Sequence, residues 1–307
     1  MGHLLTNSII DMDFSGHPAI AVAPLEVLPL ALGDGTSPLV VFRAAAAPAR
    51  PPVILLHGIA SHPGWFEISA RALAAAGHAV YSVTRRGSGA NVDNRGNARS
   101  VDQLLDDLDR AVDAVVADSG HERVHLVGIS WGGKYAVCWA LDPSRARRLG
   151  AMVLVAPGLA PRVTLPLDLR LAVAACAVVL PRQRFGIPLN DPALFTDTPD
   201  RRQFIAEDPQ RLTHATARFL AVSYLMDRRL AAAPAGAIET PTTLLLADRD
   251  RIIDNRATEA RLQRLTDGLL QTRLLSGAHT LEFEPDPAAY VAALLAAVRP
   301  GTHDRTP

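Results

Sequence analysis

The stretch RVHLVGISWGGK, residues 123–134, decides the fold class of this chain. Its first half is an apolar, β-branched run that predicts a buried strand, and the residues from Trp131 onward predict a helix. Between the two lies GISWG, residues 128–132, a G-x-S-x-G pattern. The letters alone occur by chance in roughly one chain in ten of this length. Their position makes Ser130 a candidate nucleophile, because a strained turn between strand and helix projects a serine hydroxyl above the sheet.

Two backbone amides are candidates for stabilising a negatively charged oxygen beside Ser130. The amide of Trp131 begins the helix and would point at the developing charge. His57-Gly58 ends an earlier predicted strand, and the glycine lets the loop fold back so that the amide of Ile59 becomes the second donor. We expect His57 itself to be structural. The alternative interpretation of residues 128–132 is a glycine-rich helix start that binds phosphate or only turns the chain, which would not need the serine.

Strands and helices alternate on both sides of this stretch. Such alternation predicts a mainly parallel sheet with helices on both faces. Two earlier runs, LEVLPLAL and PLVVFRA, flank GDGTS (residues 33–37), and its Asp-Gly predicts a hairpin that adds antiparallel strands at one edge. The other predicted strands are PPVILLHG, 78–83, 123–128, 150–157, 241–247 and 271–276, and the predicted helices lie near 64–76, 100–117, 131–141, 255–267 and 286–298.

Residues 158–235 interrupt the alternation. They contain helical patterns separated by prolines and no convincing strand, which predicts a helical cap over the carboxyl edge of the sheet. Residues 1–157 and 236–307 would then form the core domain. Within the cap, LAVAACAVVL (171–180) has no polar stripe, so it should be buried, line an apolar cavity or touch lipid. We expect Val173 and Val178 to line a cavity for an acyl chain.

A serine nucleophile needs a base, and the base needs an acid. Of the ten histidines, His279 follows the last short predicted strand, where a base loop belongs, and His214 in the presumed cap is the second choice. The acid should lie in the loop after strand 241–247. Asp250 is the first choice there, with Asp248 and Asp254 as alternatives.

The chain resembles α/β-hydrolases of the monoglyceride lipase and lysophospholipase type, which are also grouped with serine aminopeptidases. The resemblance covers roughly residues 50–299 and rests on ILLHGIASHPGWF, TRRGSGAN, VGISWGGK, LLLADRDRIID, SGAHTLEFE and the cap segment LNDPALFTDTPDRRQFIAEDPQRLTHAT. It implies an eight-stranded, mostly parallel sheet with the cap after strand six. It also implies Ser130 as nucleophile, His279 as base, Asp250 as acid, and the amides of Ile59 and Trp131 as the oxyanion hole.

Two positions differ from the usual pattern of that family. Ala247 stands where the family has glycine, which leaves the choice between Asp248 and Asp250 open. The loop Arg85–Gly89 also has an unusual form, so the adjacent pocket should differ.

Composition excludes several partners. Apolar residues make up 49% of the 307 residues and charged residues 20%, which is typical of a globular protein. The 31 basic and 31 acidic residues cancel, so neither nucleic acid nor an anionic membrane surface is an expected partner. The N-terminus lacks a secretion signal pattern and the longest apolar run is too short to span a bilayer. We expect a cytoplasmic monomer or homodimer, with Cys138 and Cys176 as buried thiols.

The expected reaction is hydrolysis of a carboxylic ester through an acyl-enzyme, with no metal or cofactor. The expected substrate is a small ester with an acyl chain, of the monoacylglycerol or lysophospholipid type, bound by cap residues among 158–235. An acyltransferase or thioesterase would use the same residues, and a non-catalytic binding protein on this scaffold is a third possibility. The H-x-x-x-x-D pattern of some lipid acyltransferases is absent. We expect Trp65, Phe66 and Tyr135 to belong to the core.

Overall fold

The computed structural model describes residues 25–30, 39–44 and 49–298. The strands in chain order are β1 (Leu25–Leu30), β2 (Leu39–Ala44), β3 (Arg50–Leu56), β4 (His78–Val83), β5 (Val124–Ile129), β6 (Leu149–Val155), β7 (Arg184–Gly186), β8 (His214–Thr216), β9 (Thr242–Ala247) and β10 (Leu270–Leu275). The helices are α1 (Glu67–Ala75), α2 (Val101–Ser119), α3 (Trp131–Ala140), α4 (Pro143–Ala146), α5 (Leu167–Val179), α6 (Pro199–Glu207), α7 (Ala217–Ala232), α8 (Asn255–Thr266) and α9 (Ala288–Ala297).

Eight strands form one sheet in the order β1-β2-β4-β3-β5-β6-β9-β10. Six neighbouring strands pair in parallel: β4, β3, β5, β6, β9 and β10. Strand β2 is antiparallel to β4, and β1 is antiparallel to β2. The predicted mostly parallel α/β-hydrolase sheet is therefore confirmed. The predicted turn at GDGTS and the N-terminal segment before residue 25 lie outside the described residues.

Strand β5 lies near the centre of the sheet, and its burial follows from that position. All six of its residues are buried, and a strand is buried throughout only when both faces are covered. Helices α2 and α3 pack on β5, whereas α1 and α9 pack on each other and on other strands. The helix α2 begins at Ser100, whose hydroxyl accepts a hydrogen bond from the Gln103 amide, and ends at Gly120 in the left-handed region.

The segment between β6 and β9 carries α5, α6 and α7. It also contains β7 and β8, which pair in an antiparallel two-stranded sheet. The expectation of no strand in this segment was wrong, because runs of three residues are too short to leave a period-two pattern. Cys138 and Cys176 are free thiols, as expected, although Cys176 is only half-buried. No helix in the described ranges has both the length and the apolar character needed to cross a bilayer.

Candidate active site

Four loops meet at the carboxyl edge of the parallel strands. Ile59 follows β3, Ser130 follows β5, Asp250 follows β9 and His279 follows β10. Because neighbouring parallel strands end at the same edge, residues far apart in the sequence come together there.

The turn between β5 and α3 holds Ser130 in a strained conformation. Its φ of 53° and ψ of −121° are unusual for a residue with a side chain. The Ser130 amide is fixed by a 2.9 Å hydrogen bond to the Val155 carbonyl on β6. Glycines make the turn possible: a Cβ on Gly132 would lie 2.1 Å from the Leu56 carbonyl oxygen, and one on Gly128 would lie 2.7 Å from the Gly132 oxygen. The sharp turn predicted from the sequence is therefore present.

Ser130, His279 and Asp250 form one hydrogen-bonded chain. The Nε2 atom of His279 lies 2.9 Å from the Ser130 hydroxyl oxygen, and its Nδ1 lies 2.8 Å from Asp250 Oδ2. An ionised Asp250 can only accept, so Nδ1 carries the proton and Nε2 presents a lone pair to the serine hydroxyl. The His279 and Asp250 side chains are 2% and 0% exposed, which shields this chain of bonds from water.

Several contacts keep Asp250 ionised. Burial by itself raises its pKa, but the neighbouring His279 and the amides of Ile252 and Ile253 outweigh burial and hold the pKa below its ordinary value. Both amides donate to Asp250 Oδ1, at 2.7 and 3.0 Å. One carboxylate oxygen is thus fixed by the backbone while the other accepts from the histidine, so the carboxylate cannot rotate away.

The alternative residues make other contacts. Asp248 accepts a hydrogen bond from the Gly277 amide at 2.8 Å, and Asp254 caps α8 by accepting from Ala257. His214 is exposed and lies 3.1 Å from the hydroxyl of its neighbour Thr213. Among these candidates, only Asp250 and His279 join the hydrogen-bonded chain to the serine.

His57 makes its hydrogen bonds outside the chain that joins Ser130, His279 and Asp250. Its Nδ1 donates to the Gly58 carbonyl at 2.8 Å, and its Nε2 accepts from the Arg85 amide at 3.1 Å. Burial, followed by the positive charge of Arg85, holds the pKa of His57 well below its ordinary value. This neutral imidazole therefore joins two loops, which fits the structural role expected for it.

The two residues expected to supply the amides of an oxyanion hole both lie beside the serine. Trp131 is the first residue of α3, so its amide has no partner within the helix. The loop carrying Ile59 lies against the serine, because a Cβ on Gly58 would approach Ser130 Cβ to 3.2 Å. Ile59, Ser130 and Trp131 all line one cavity.

That cavity has a volume of about 670 Å³ and largely apolar walls. Much of its lining comes from residues between β6 and β9, including Leu165, Leu171, Val173, Ala174 and Leu220. Val173 is 7% exposed, whereas Val178 is 82% exposed and does not line the cavity. Val173 therefore lines a cavity as expected, whereas the expectation that Val178 lines it was wrong. The run at 171–180 lacks a polar stripe, but one side of its helix faces the surface all the same.

The side chains expected in the core are buried, and two of them also border the site. Trp65, Phe66 and Tyr135 are 2–4% exposed. Trp65 and Phe66 line a small second cavity of about 10 Å³ beside Ser130 and His279.

Two buried basic residues beside the site, Arg85 and Lys134, had no role predicted for them from the sequence. Arg85 places its guanidinium 4.8 Å from the centre of the Trp131 ring and 4.9 Å from that of Phe219. Lys134 lines the large cavity and pairs with Asp227. The available signal was that Lys134 is the only lysine in the chain. Within the described ranges, no group of three or more His, Cys, Asp or Glu side chains is arranged to hold a metal ion.

Comparison with known proteins gives the class of the chain. It is 26% identical over 242 residues to a monoacylglycerol lipase of Mycolicibacterium smegmatis, with 76% of this chain and 82% of that protein covered. It is also 26% identical over 240 residues to the uncharacterized protein YnbC of Escherichia coli, covering 75% of this chain but only 39% of YnbC. The fold and these matches define a serine hydrolase of the carboxylesterase and lipase type. The chain belongs to the α/β-hydrolase family described as serine aminopeptidase, S33, whose model matches residues 47–286.

Solved structures agree with this fold. A monoacylglycerol lipase of Paleococcus ferrophilus has a TM-score of 0.69 at 23% identity, covering 81% of this chain and 96% of that one. A soluble variant of Saccharomyces cerevisiae monoglyceride lipase, solved with a substrate analog, has a TM-score of 0.75 at 15% identity, covering 91% and 98%. At such low identity, these similarities describe the architecture alone.

Proposed function

We propose that this protein hydrolyses a carboxylic ester with an acyl chain through an acyl-enzyme on Ser130. The observation that carries the proposal is the hydrogen-bonded chain from the Ser130 hydroxyl through His279 to Asp250. A serine hydroxyl is a weak nucleophile, and a neutral imidazole with an oriented carboxylate is the arrangement that activates it.

The first half of the proposed reaction acylates the enzyme. Ser130 Oγ attacks the ester carbonyl carbon while its proton passes to His279 Nε2. The carbonyl oxygen becomes negatively charged and accepts hydrogen bonds from the amides of Ile59 and Trp131. Collapse of this intermediate breaks the bond to the alcohol oxygen, which takes the proton from His279 and leaves.

The second half repeats these steps with water. Water attacks the acyl carbon, gives a proton to His279 Nε2, and the Ser130 oxygen leaves with that proton. The products are a carboxylic acid and free enzyme. Asp250 stabilises the imidazolium in both halves without itself becoming protonated.

The substrate class we propose is a monoacylglycerol- or lysophospholipid-type ester, with residues 158–235 acting as the cap. The apolar wall contributed by this segment supports the choice, since burying an acyl chain gains roughly 0.8 kcal/mol per methylene. Contacts between the segment and the site loops also support it. The Leu212 amide donates to the Ala60 carbonyl at 2.9 Å, and the Trp65 ring nitrogen donates to Asp208 at 2.7 Å.

A fluorophosphonate probe tests the proposed nucleophile. We expect labelling of the native protein at one site, and loss of both labelling and esterase activity in Ser130→Ala with the fold retained. Ser61→Ala is the matched control, because Ser61 lies in the small cavity beside Ser130 but has no hydrogen bond to any histidine among the described residues. Labelling that survives in Ser130→Ala, or activity equal to that of the wild type, would contradict the proposal.

A further inference from the structure

One wall of the large cavity is polar, although most of its lining is apolar. Lys134 on α3 and Ser223 and Asp227 on α7 all line the cavity that contains Ser130. Lys134 is the only lysine among 31 basic residues, and its side chain is 6% exposed. A buried ammonium is costly unless it is paired, and the two carboxylate oxygens of Asp227 lie 2.8 and 2.9 Å from it.

The hydrogen bonds of Ser223 leave its hydroxyl proton without a partner. Its oxygen accepts from the Trp131 ring nitrogen at 2.9 Å and from Lys134 at 3.4 Å. A hydroxyl has two lone pairs and one proton, so both lone pairs are in use while the proton remains to be donated. No acceptor for it is found among the residues that the structure describes. The contact from Lys134 is also long for an N–H···O bond, which leaves room for a better acceptor.

Charge selects the kind of acceptor that fits here. The charges of Lys134 and Asp227 cancel within the pair, and a carboxylate or phosphate beside them would meet the negative Asp227. An uncharged oxygen can accept from Ser223 and Lys134 without that repulsion. Position adds a second condition: Lys134 lies one helical turn beyond Trp131, and residues so spaced have Cβ atoms about 5–6 Å apart. The bound oxygen would therefore lie within a few bonds of the scissile carbonyl.

We propose that Ser223 and Lys134, with Asp227 as counter-ion, form a subsite that binds an uncharged hydroxyl or carbonyl oxygen of the substrate near its ester group. This inference rests on the proposed ester hydrolysis and gives it a specificity. The oxygen can belong to the acyl chain or to the alcohol. In both cases the enzyme prefers an ester with this additional oxygen to an ester of the same chain length that lacks it.

Three esters with one acyl length test the subsite: propyl octanoate, propyl 3-hydroxyoctanoate and 1-monooctanoylglycerol. We expect wild-type kcat/KM to be at least about fivefold higher for one of the two oxygen-bearing esters than for propyl octanoate. The preferred ester shows whether the subsite binds an oxygen of the acyl chain or of the alcohol. Ser223→Ala should reduce this preference to below about twofold. Ser223→Thr keeps a hydroxyl and should retain most of the preference.

A control variant on the same helix separates binding from folding. Leu225 is 51% exposed and does not line the cavity, so Leu225→Ala should keep the wild-type preference. Equal kcat/KM for the three esters in the wild type, or a loss in Ser223→Ala that is the same for all three, would overturn the subsite and leave ester hydrolysis standing. Failure of the wild type to hydrolyse any of them would overturn the proposed function together with this inference.

Discussion

Arg85 donates a hydrogen bond from Nη2 to the carbonyl oxygen of Ile59 at 3.0 Å. The same guanidinium stacks on the Trp131 ring, so one buried cation contacts both residues that are proposed to supply the oxyanion-hole amides. Burial lowers the pKa of Arg85 to about 9, and no carboxylate forms an ion pair with it among the described residues. We infer that Arg85 is a positioning residue that holds the Ile59 loop and Trp131 in place for a negatively charged oxygen.

Replacement of Arg85 tests that role. Arg85→Met removes the hydrogen bond and the charge while retaining much of the side-chain volume. Because an interaction made mainly in the transition state affects kcat more than KM, we expect kcat to fall about tenfold or more with KM within about threefold of wild type. Affinity for an octyl trifluoromethyl ketone, which forms a tetrahedral adduct with serine, should fall by a similar factor.

The neighbouring Arg86 supplies the control. Its guanidinium forms two hydrogen bonds with Asp107 on α2, at 2.7 and 2.8 Å. Arg86→Met should leave the affinity for the ketone close to that of the wild type. If Arg85→Met and Arg86→Met weaken ketone binding equally, Arg85 contributes only to folding.

The acid of the proposed triad is tested by two substitutions in one loop. Asp250→Asn retains the shape of the side chain but no longer enforces the imidazole tautomer, so kcat should fall by roughly 10⁴. Asp248 accepts from the Gly277 amide and from Arg249, makes no hydrogen bond with His279 among the described residues, and is partly exposed, so Asp248→Asn should cost less than about tenfold. Steady-state kinetics on a 4-nitrophenyl ester measure both effects. The reverse order of effects would assign the acid to Asp248.

Much of the architecture could be predicted because backbone constraints leave a clear record in the sequence. Glycine is required at 128 and 132 by close backbone contacts, and the long apolar strands alternate with helices of regular period. These features also fix which loops leave the carboxyl edge of the sheet. The residues proposed as nucleophile and base could therefore be selected by position, whereas position narrowed the proposed acid only to one loop.

What could not be predicted depends on side-chain packing between distant segments. Arg85 stacks on Phe219, which lies 134 positions later in the chain, and Lys134 pairs with Asp227. The hydrophobic periodicity of a local stretch of sequence does not indicate such contacts. Val178 is apolar but exposed, since hydrophobicity permits burial without requiring it. The acid loop was ambiguous for a similar reason, because Asp248, Asp250 and Asp254 lie within seven residues of one another and are distinguished only by the partners they contact.

The loop that carries His279 contains a buried acid with a pH-dependent effect on stability. Burial raises the pKa of Glu282 to about 7, although it accepts hydrogen bonds from Ser69 and from the Ile68 amide. A raised pKa in the folded state means that stability is fully present below the unfolded pKa, near 4.5, and is lost as the pH rises through about 7. The shift corresponds to about 3 kcal/mol in the free energy of unfolding.

Glu282→Gln removes this titration while keeping an acceptor for the amides. We expect the wild type to lose up to about 3 kcal/mol relative to the variant between about pH 5 and 8, measured by urea unfolding at each pH. Glu122→Gln, on an exposed turn, is the control and should follow the wild-type curve. Parallel wild-type and Glu282→Gln stability curves would show that Glu282 stays ionised throughout.

The acyl-chain pocket is tested by two valines on one helix. Val173 is buried and lines the cavity with Ser130, whereas Val178 is exposed outside it. If the cavity holds the acyl chain, wild-type kcat/KM should rise at least about tenfold from acetyl to octanoyl 4-nitrophenyl esters, which needs only about 1.4 kcal/mol of extra transition-state binding.

Val173→Asp places a charge on the apolar wall of the cavity. The rise in kcat/KM from acetyl to octanoyl esters should therefore flatten, while acetyl hydrolysis changes less. If Val173→Asp folds poorly, Val173→Thr, of nearly equal volume, replaces it in the test and should flatten the rise to a smaller extent. Val178→Asp should retain the wild-type trend, and a wild-type preference for acetyl esters would mean that α5 serves packing and does not bind the chain.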